Sequence, residues 1–156
     1  MTTSASVIVR VTDVRGLNGD RYAYRLTVRE PKPDFNVSLG VKNPTIAAGS
    51  GQAFDVNLDR IDGFDDDVEV EITGLPPGFS VSQPLVIQAG HTSAQAVLNA
   101  APDAPAPTEE NAQQTKVVAR AMIAGSPVVK ELASLGKIQL TERPKVIVHL
   151  LPDDPS

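Results

Sequence analysis

Hydrophobic and polar residues alternate with a period of two along most of the chain. The run VEVEI places Val68, Val70 and Ile72 on one face, and Glu69 and Glu71 on the other. Such alternation is typical of strands with one buried and one wet face, as in antiparallel sheets. The same pattern predicts further strands in the runs SVIVRVTDV, RYAYRLTVRE, AFDVNLDRI, TSAQAVLNA, TKVVARAMIA, VVKELASL, KIQL and KVIVHLL.

No stretch shows the apolar spacing of a convincing amphipathic helix. The segment PAPTEENAQQ, residues 105–114, has no apolar stripe and is predicted to be a loop with one turn of helix at most. Clusters of Gly, Pro, Asn and Asp separate the predicted strands, among them RGLNGD, AAGSGQ, GLPPG and QAGHTS. Short strands punctuated in this way predict an antiparallel all-β sandwich or barrel.

Two proline-containing segments, REPKP and ERPK, suggest domain boundaries, because proline cannot continue a sheet ladder. We predict that residues 1–30 are the C-terminal hairpin of an upstream β-domain and that residues 34–142 form a complete sandwich. Residues 143–156 are then a closing strand of this domain or the start of the next one. The alternative, in which all strands belong to one sandwich, stays open.

The composition predicts an aliphatic core and excludes several kinds of site. The chain has 156 residues, of which 41% are hydrophobic but only 4% aromatic, so Val, Ile, Leu and Ala must fill the core. Without cysteine there is no disulfide, thiolate nucleophile or Cys-ligated metal. No run of 18 apolar residues predicts a membrane span, and the N-terminus lacks the features of a signal peptide.

Acidic residues are concentrated in the middle of the chain. Residues 43–115 carry eleven acidic side chains and one basic one, Arg60. Nucleic-acid binding needs clustered Lys and Arg, so we expect no nucleic-acid partner. Solvated strand faces explain most of these acidic residues.

The acidic loop between two predicted strands offers a candidate Ca²⁺ site of four carboxylates: Asp62, Asp65, Asp66 and Asp67. Their spacing is not that of an EF-hand, and three consecutive side chains diverge. A complete site would need the 103–110 loop alongside, with Asp103, Glu109 and Glu110. We favour the alternative of a soluble acidic loop.

A second, weaker Ca²⁺ candidate lies in DVRGLNGD, with Asp13, Asn18 and Asp20 as ligands. Its Asn-Gly step is more typical of a hairpin turn.

No arrangement of residues indicates catalysis. The two histidines, His91 and His149, lie in a predicted turn and a terminal strand, and no Gly-x-Ser-x-Gly elbow is present. Glu69 and Glu71 share a wet strand face and do not flank a cleft as paired glycosidase carboxylates do. We therefore expect a protein that is not an enzyme and needs no cofactor.

The few aromatic residues are predicted to serve the core. Phe54 alternates with buried aliphatic positions, and Phe64 and Phe79 flank a predicted hairpin, where they would plug one end of a sandwich. Too few aromatic side chains remain for a stacked carbohydrate-binding platform.

Two stretches resemble known bacterial modules. The first, DVRGLNGDRYAYRLTVREPKPDF, resembles the closing hairpin of pre-peptidase C-terminal-like domains, with a Gly-rich turn before a strand that carries Tyr22 and Tyr24. The second, from PDFNVSL to IQAGHTSAQAVLNAAPDA, resembles an immunoglobulin-like module that often follows such a domain. The resemblance implies an antiparallel immunoglobulin-like β-sandwich of about seven strands, preceded by a β-hairpin.

The resemblance further implies a structural or adhesive spacer within a large secreted, periplasmic or surface protein of bacteria. Its expected partners are neighbouring domains, other surface proteins or polysaccharide, without membrane insertion. The alternative is a ligand-binding module, for Ca²⁺ or carbohydrate, that assists a neighbouring enzymatic domain.

Overall fold

The computed structural model describes residues 7–142, and the chain divides into two units between Glu30 and Pro31. Within residues 7–142 there is no α-helix, and hence no helix that could cross a membrane. The predicted terminal strand KVIVHLL lies outside the described residues, and so does His149.

Residues 7–30 of the first unit contain turns but no β-strand, which differs from the predicted N-terminal hairpin. Turn hydrogen bonds join the amide of Gly16 to the carbonyl of Asp13, and that of Tyr22 to Gly19. The apolar side chains of both alternating runs are exposed, including Tyr24. A hairpin without a third strand or a packing surface is only marginally stable, which explains the missing ladder.

Residues 31–142 of the second unit contain ten strands and one short 3₁₀-helix. Six strands have six or more residues: β1 (Asp34–Leu39), β3 (Gly51–Ile61), β4 (Val68–Thr73), β7 (Ser93–Ala100), β8 (Lys116–Ile123) and β9 (Ser126–Leu132). Four strands have three residues each: β2 (Thr45–Ala47), β5 (Phe79–Val81), β6 (Leu85–Ile87) and β10 (Gln139–Thr141). The helix, Asn111–Gln113, lies in the segment predicted to be a loop with one turn of helix at most.

The strands form an immunoglobulin-like sandwich. One sheet has the order β1-β3-β7-β5 and the other β6-β4-β8-β9, all antiparallel. This is the ABED and CFG arrangement of immunoglobulin domains, with β6 added beside β4. A parallel pair, β2 with β10, joins the first part of the sandwich to its last described strand.

The core confirms the predicted faces of the long strands. Phe54, Val56 and Leu58 of β3 are buried against Val68 and Ile72 of β4 and their neighbours in one cluster. Phe64 and Phe79 are also buried, but they lie at opposite ends of the sandwich rather than together at one end, because Phe79 pairs with Ala100 at the end of β7. The irregular segment after β9 contributes two further buried residues, Leu135 and Ile138.

The fold is all-β as predicted, but residues 7–142 form ten strands rather than about seven. The strands that sequence analysis did not separate, such as β5 and β6, have only three residues. A three-residue strand is too short to show a period of two, so its existence depends on pairing with a longer neighbour.

Candidate functional site

The acidic loop of residues 62–67 connects β3 to β4, and two of its carboxylates bind the loop between β6 and β7. The Asp67 carboxylate accepts a hydrogen bond from the amide of Ala89 at 2.7 Å. The Asp65 carboxylate accepts one from the amide of Gly90 at 2.8 Å. These two aspartates therefore hold two loops together while their side chains stay exposed, as the solvated acidic loop predicted from the sequence would be.

Asp62 anchors the segment that leads into the sandwich. Its Oδ2 accepts a hydrogen bond from the amide of Lys32 at 3.0 Å, two residues before β1 begins. This contact ties the junction segment to the loop that follows β3.

Arg60, the last but one residue of β3, lies at the centre of these loops. Its Nε donates to the carbonyl of His91 at 2.9 Å, and its two Nη atoms donate to the carbonyls of Asp66 and Gln88, both at 2.8 Å. The side chain is only 13% exposed and approaches the Asp65 carboxylate at 3.6 Å. A guanidinium with several donors in a fixed plane suits such a convergence of carbonyls.

Stacked aromatic rings close the sandwich beneath Arg60. Phe35 and Phe64 have ring centroids 5.3 Å apart, and the Arg60 guanidinium lies 5.4 Å from the Phe64 centroid. Aromatic and cation–π contacts of this kind add to the stabilisation from burial alone. We call this the aromatic end of the sandwich, defined by Phe35, Phe64 and Arg60.

Lys130 joins the two sheets beside the aromatic end. It lies on β9, at the edge of one sheet, and its Nζ binds Asp34 at 2.7 Å and donates to the carbonyl of Phe35, both on β1 of the other sheet. The hydrogen bond from Lys130, together with the amide of Phe35, lowers the pKa of the Asp34 carboxyl. Lys130 therefore links the edge strands of the two sheets through contacts that an apolar side chain could not make.

The structure does not assemble the predicted aspartates into a metal centre. Within residues 7–142, no three carboxylate or imidazole side chains lie close enough together to hold a metal ion. The 103–110 loop follows β7, whose last residues pair with Gly51 at the start of β3, whereas the acidic loop follows the end of β3. The two loops thus lie at opposite ends of the sandwich, and the predicted Ca²⁺ ligands are not brought together.

The second Ca²⁺ candidate forms a turn of its own. The Asp13 carboxylate accepts hydrogen bonds from the amides of Arg15 and Leu17, at 2.8 and 3.2 Å. Asn18 and Asp20 are exposed in the next turn.

His91 lies in a turn closed by a hydrogen bond from its amide to the carbonyl of Gln88. Its side chain is exposed, as predicted, while its carbonyl accepts from Arg60. His91 therefore stabilises the loop through the hydrogen bonds of its backbone.

The sequence analysis assigned no contact to the side chains of Arg60 and Lys130, although a signal was available. Arg60 shares the buried face of β3 with Val56 and Leu58, and Lys130 shares the inner face of β9 with Val128 and Leu132. A cation at an inward position of an alternating strand indicates a partner at the sheet edge or end.

The outer faces of the two sheets differ in chemistry. The β1-β3-β7-β5 sheet exposes amide, hydroxyl and carboxylate side chains: Asn36, Ser38, Asp55, Asn57, Asp59, Ser80, Ser93, Gln95 and Asn99. The β6-β4-β8-β9 sheet exposes acidic and basic residues together with three large apolar side chains, Val86, Met122 and Val129. Each face is a candidate surface for an external partner.

Comparison with known proteins gives little further information. No family model matches the chain, and no curated protein matches its sequence. A solved structure described as chimeric titin Z1Z2 functionalised with a KLER exogenous peptide from decorin matches with a TM-score of 0.34 and 13% identity. The match covers 71% of this chain and 98% of that chain. The immunoglobulin-like assignment rests on the order and pairing of this chain's own strands.

Proposed function

We propose that this chain is a non-catalytic structural module, a spacer or adhesion-type unit of a large exported bacterial protein. The observation that supports this most directly is the placement of its two junctions. β1 begins at Asp34 beside Ile61, the last residue of β3, whereas β10 ends at Thr141 beside Ala47, shortly before β3 begins. Since β3 has 11 residues, the junctions lie about 35 Å apart at about 3.4 Å per residue.

Opposite junctions are what a spacer requires, because neighbouring domains are then held apart by the length of the sandwich. The first residues of the second unit are also bound to the sandwich. The amide of Lys32 binds Asp62, and Asp34 binds Lys130, within a few residues of Pro31 and Pro33. Proline restricts the backbone between these contacts.

We infer that residues 1–30 belong to a preceding β-domain of the pre-peptidase C-terminal-like kind. The alternating run around Tyr22 and Tyr24 exposes its apolar side chains and would gain a packing surface from further strands. In this proposal the partners are neighbouring domains, other surface proteins or polysaccharide, and the location is secreted, periplasmic or on the cell surface.

The experiment is a single-molecule energy-transfer measurement on the chain labelled at both junctions. Because the chain has no cysteine, Lys32→Cys with Glu142→Cys gives two specific label positions. We expect one narrow distance population near about 35–40 Å. The control pair, Lys32→Cys with Thr92→Cys, has both labels at the aromatic end and should show much higher transfer. A broad distribution, or equal transfer for both pairs, would show that the module does not set a fixed spacing.

A carbohydrate-binding role is a second candidate, favoured by the outer face of the β1-β3-β7-β5 sheet. Rows such as Ser38–Asn57–Ser93 and Asp55–Gln95 align amide, hydroxyl and carboxylate groups across strands. These groups can donate to and accept from sugar hydroxyls. The face lacks aromatic side chains, so we expect weak binding. Amide chemical-shift changes confined to these strands on adding a soluble polysaccharide would support this role, and unchanged spectra would contradict it.

Calcium binding has a direct test in thermal unfolding. A site with a dissociation constant of about 1 mM would add about 1.4 kcal/mol at about 10 mM Ca²⁺ and raise Tm by several degrees. Because the Asp62, Asp65 and Asp67 carboxylates already accept backbone hydrogen bonds, we expect a change below about 1 °C. MgCl₂ at equal concentration is the control. A rise of several degrees specific to Ca²⁺ would overturn this expectation.

A further inference from the structure

Large apolar side chains are exposed at one place on the sandwich. Among described residues 31–142, the exposed large hydrophobic side chains are Val86, Met122 and Val129, at 37%, 47% and 59% exposure. They lie on β6, β8 and β9 and line one shallow groove of about 470 Å³ on the outer face of that sheet, with Pro127. Apolar residues that cluster on one face, rather than scatter, indicate an interaction surface.

The register of the sheet places these residues in an ordered row. Val86 of β6 pairs with Glu69 of β4, which pairs with Arg120 of β8, which pairs with Val129 of β9. Read across four strands, the row is apolar, acidic, basic, apolar. Read in the opposite direction, the row is apolar, basic, acidic, apolar, so each charge then stands where the opposite charge stood.

Such a row is complementary to itself under a two-fold axis. An axis parallel to the strands and midway between β4 and β8 would place Glu69 opposite Arg120 of the second copy, and Val86 opposite Val129. Symmetric dimers use one surface patch on both subunits in this way. In a neighbouring row, the same axis places Glu71 opposite Val118, so no like charges face each other there.

The charged residues of the row are available for such contacts. Within the described part of the chain, Glu69 has no hydrogen bond or ion pair, whereas Arg120 binds Glu71 through one nitrogen, Nη1, at 2.6 Å. A guanidinium has five N–H donors, so Arg120 can bind a second carboxylate. Charge complementarity across an interface fixes its register and excludes wrong pairings.

The edge of this sheet is less suited to association than its face. β9 is one of the two edge strands of this sheet, and it carries Pro127 and the inward-facing Lys130, which is held by Asp34. Prolines and inward charges on an edge strand oppose edge-to-edge pairing. A partner therefore meets the face, where Val86, Met122 and Val129 are exposed.

We propose that the outer face of the β6-β4-β8-β9 sheet binds the same face of a second copy of this chain, with Glu69 against Arg120 at its centre. The proposal goes beyond the spacer role and does not depend on it. Two modules joined by this face would pair side by side, with their junctions left free at both ends.

The test is sedimentation velocity of the full chain over a concentration series up to about 1 mM. The wild-type chain should show a monomer–dimer equilibrium. Glu69→Arg and Arg120→Glu should each weaken dimerisation at least tenfold, because each places two pairs of like charges in contact. An equimolar mixture of these two variants should dimerise again, since their rows are complementary to one another. Asp55→Arg, on the opposite sheet, is the control with the same change in charge as Glu69→Arg and should dimerise like the wild type.

Three results would overturn the proposal: a wild-type chain that stays monomeric throughout the series, a dimer that Glu69→Arg leaves unchanged, or a mixture that does not recover dimers. Dimerisation through residues 7–30 would be recognised because Glu69→Arg would leave it unchanged. The energy-transfer test of the spacer role reads an intramolecular distance at picomolar concentration, so either idea can fail while the other stands.

Discussion

The two ends of the sandwich are closed by different means. At the aromatic end, the side chains of Phe35, Phe64 and Arg60 fill the space between the sheets and bind the loops. At the opposite end, which we call the glycine end and define by Gly49, Gly74 and Gly78, backbone segments approach each other closely. A Cβ atom added to Gly74 would overlap the carbonyl oxygen of Gln114, and one added to Gly78 would lie 2.8 Å from Ala104.

The difference shows two ways in which a β-sandwich without disulfides can fix its ends. Side-chain closure depends on apolar burial and on hydrogen bonds from one cation, so substitution removes favourable contacts. Backbone closure depends on the absence of side chains, so substitution introduces clashes. The two ends should therefore respond to opposite kinds of mutation.

Removing an aromatic ring should have the largest effect. Phe35 is 0% exposed, and Phe35→Ala removes its ring from contact with Phe64 and Lys130. We expect a loss of about 3–5 kcal/mol in the free energy of unfolding, from lost burial and the cavity left behind. Urea denaturation followed by circular dichroism measures it. A loss below about 1 kcal/mol would show that the stack does not close this end.

Adding a methyl group at the glycine end should have the next largest effect. Gly74 and Gly63 both have positive φ, at +69° and +82°, but a Cβ at Gly63 has nothing within 4 Å. Gly63→Ala should cost about 1–2 kcal/mol from backbone strain alone. Gly74→Ala should cost at least about 1 kcal/mol more, because the backbone near Gln114 must move. If Gly63→Ala and Gly74→Ala lost the same free energy of unfolding in urea denaturation, the glycine end would not be closed by backbone contact.

Arg60→Met keeps much of the apolar stem and removes the hydrogen bonds to three loop carbonyls. We expect a loss of about 2 kcal/mol, as is typical when bonds to a charged group are removed. Arg120→Met is the control, because its exposed pair with Glu71 should contribute less than about 1 kcal/mol. Amide hydrogen exchange in residues 88–91 should also increase in Arg60→Met. A loss no greater than in the control would show that Arg60 does not organise the loops.

The smallest effect should come from Asp34, whose side chain is 45% exposed. Its folded-state pKa is lowered below the ordinary 3.8 by the hydrogen bond from Lys130 and by the amide of Phe35. Its contribution to stability is therefore complete above pH 3.8 and is lost as pH falls through the lowered pKa. The wild-type chain should exceed Asp34→Asn in stability at neutral pH, and the difference should vanish at low pH. If the stability difference between the wild-type chain and Asp34→Asn grew as the pH fell, folding would raise the pKa of Asp34 rather than lower it.

Much of the sandwich follows from alternation along single strands. The faces of β3 and β4 could be predicted because Phe54, Val56 and Leu58, and Val68, Val70 and Ile72, follow a strict period of two. The run around Tyr22 and Tyr24 shows the limit of this signal. It alternates as clearly, yet forms no strand in the structure, because a strand needs a neighbour to accept its hydrogen bonds and cover its apolar face.

The all-β class, the faces of the long strands and the positions of the turns could therefore be predicted from the amino-acid sequence. These properties are local, since they depend on residues two positions apart and on the conformational preferences of Gly and Pro. The tertiary structure was needed to establish the strand order, the separation of the acidic loop from the 103–110 loop and the binding of Arg60 by three carbonyls. It also decided the row of Val86, Glu69, Arg120 and Val129. These features join segments distant in sequence, and the pairing register that creates them is not written in any one strand.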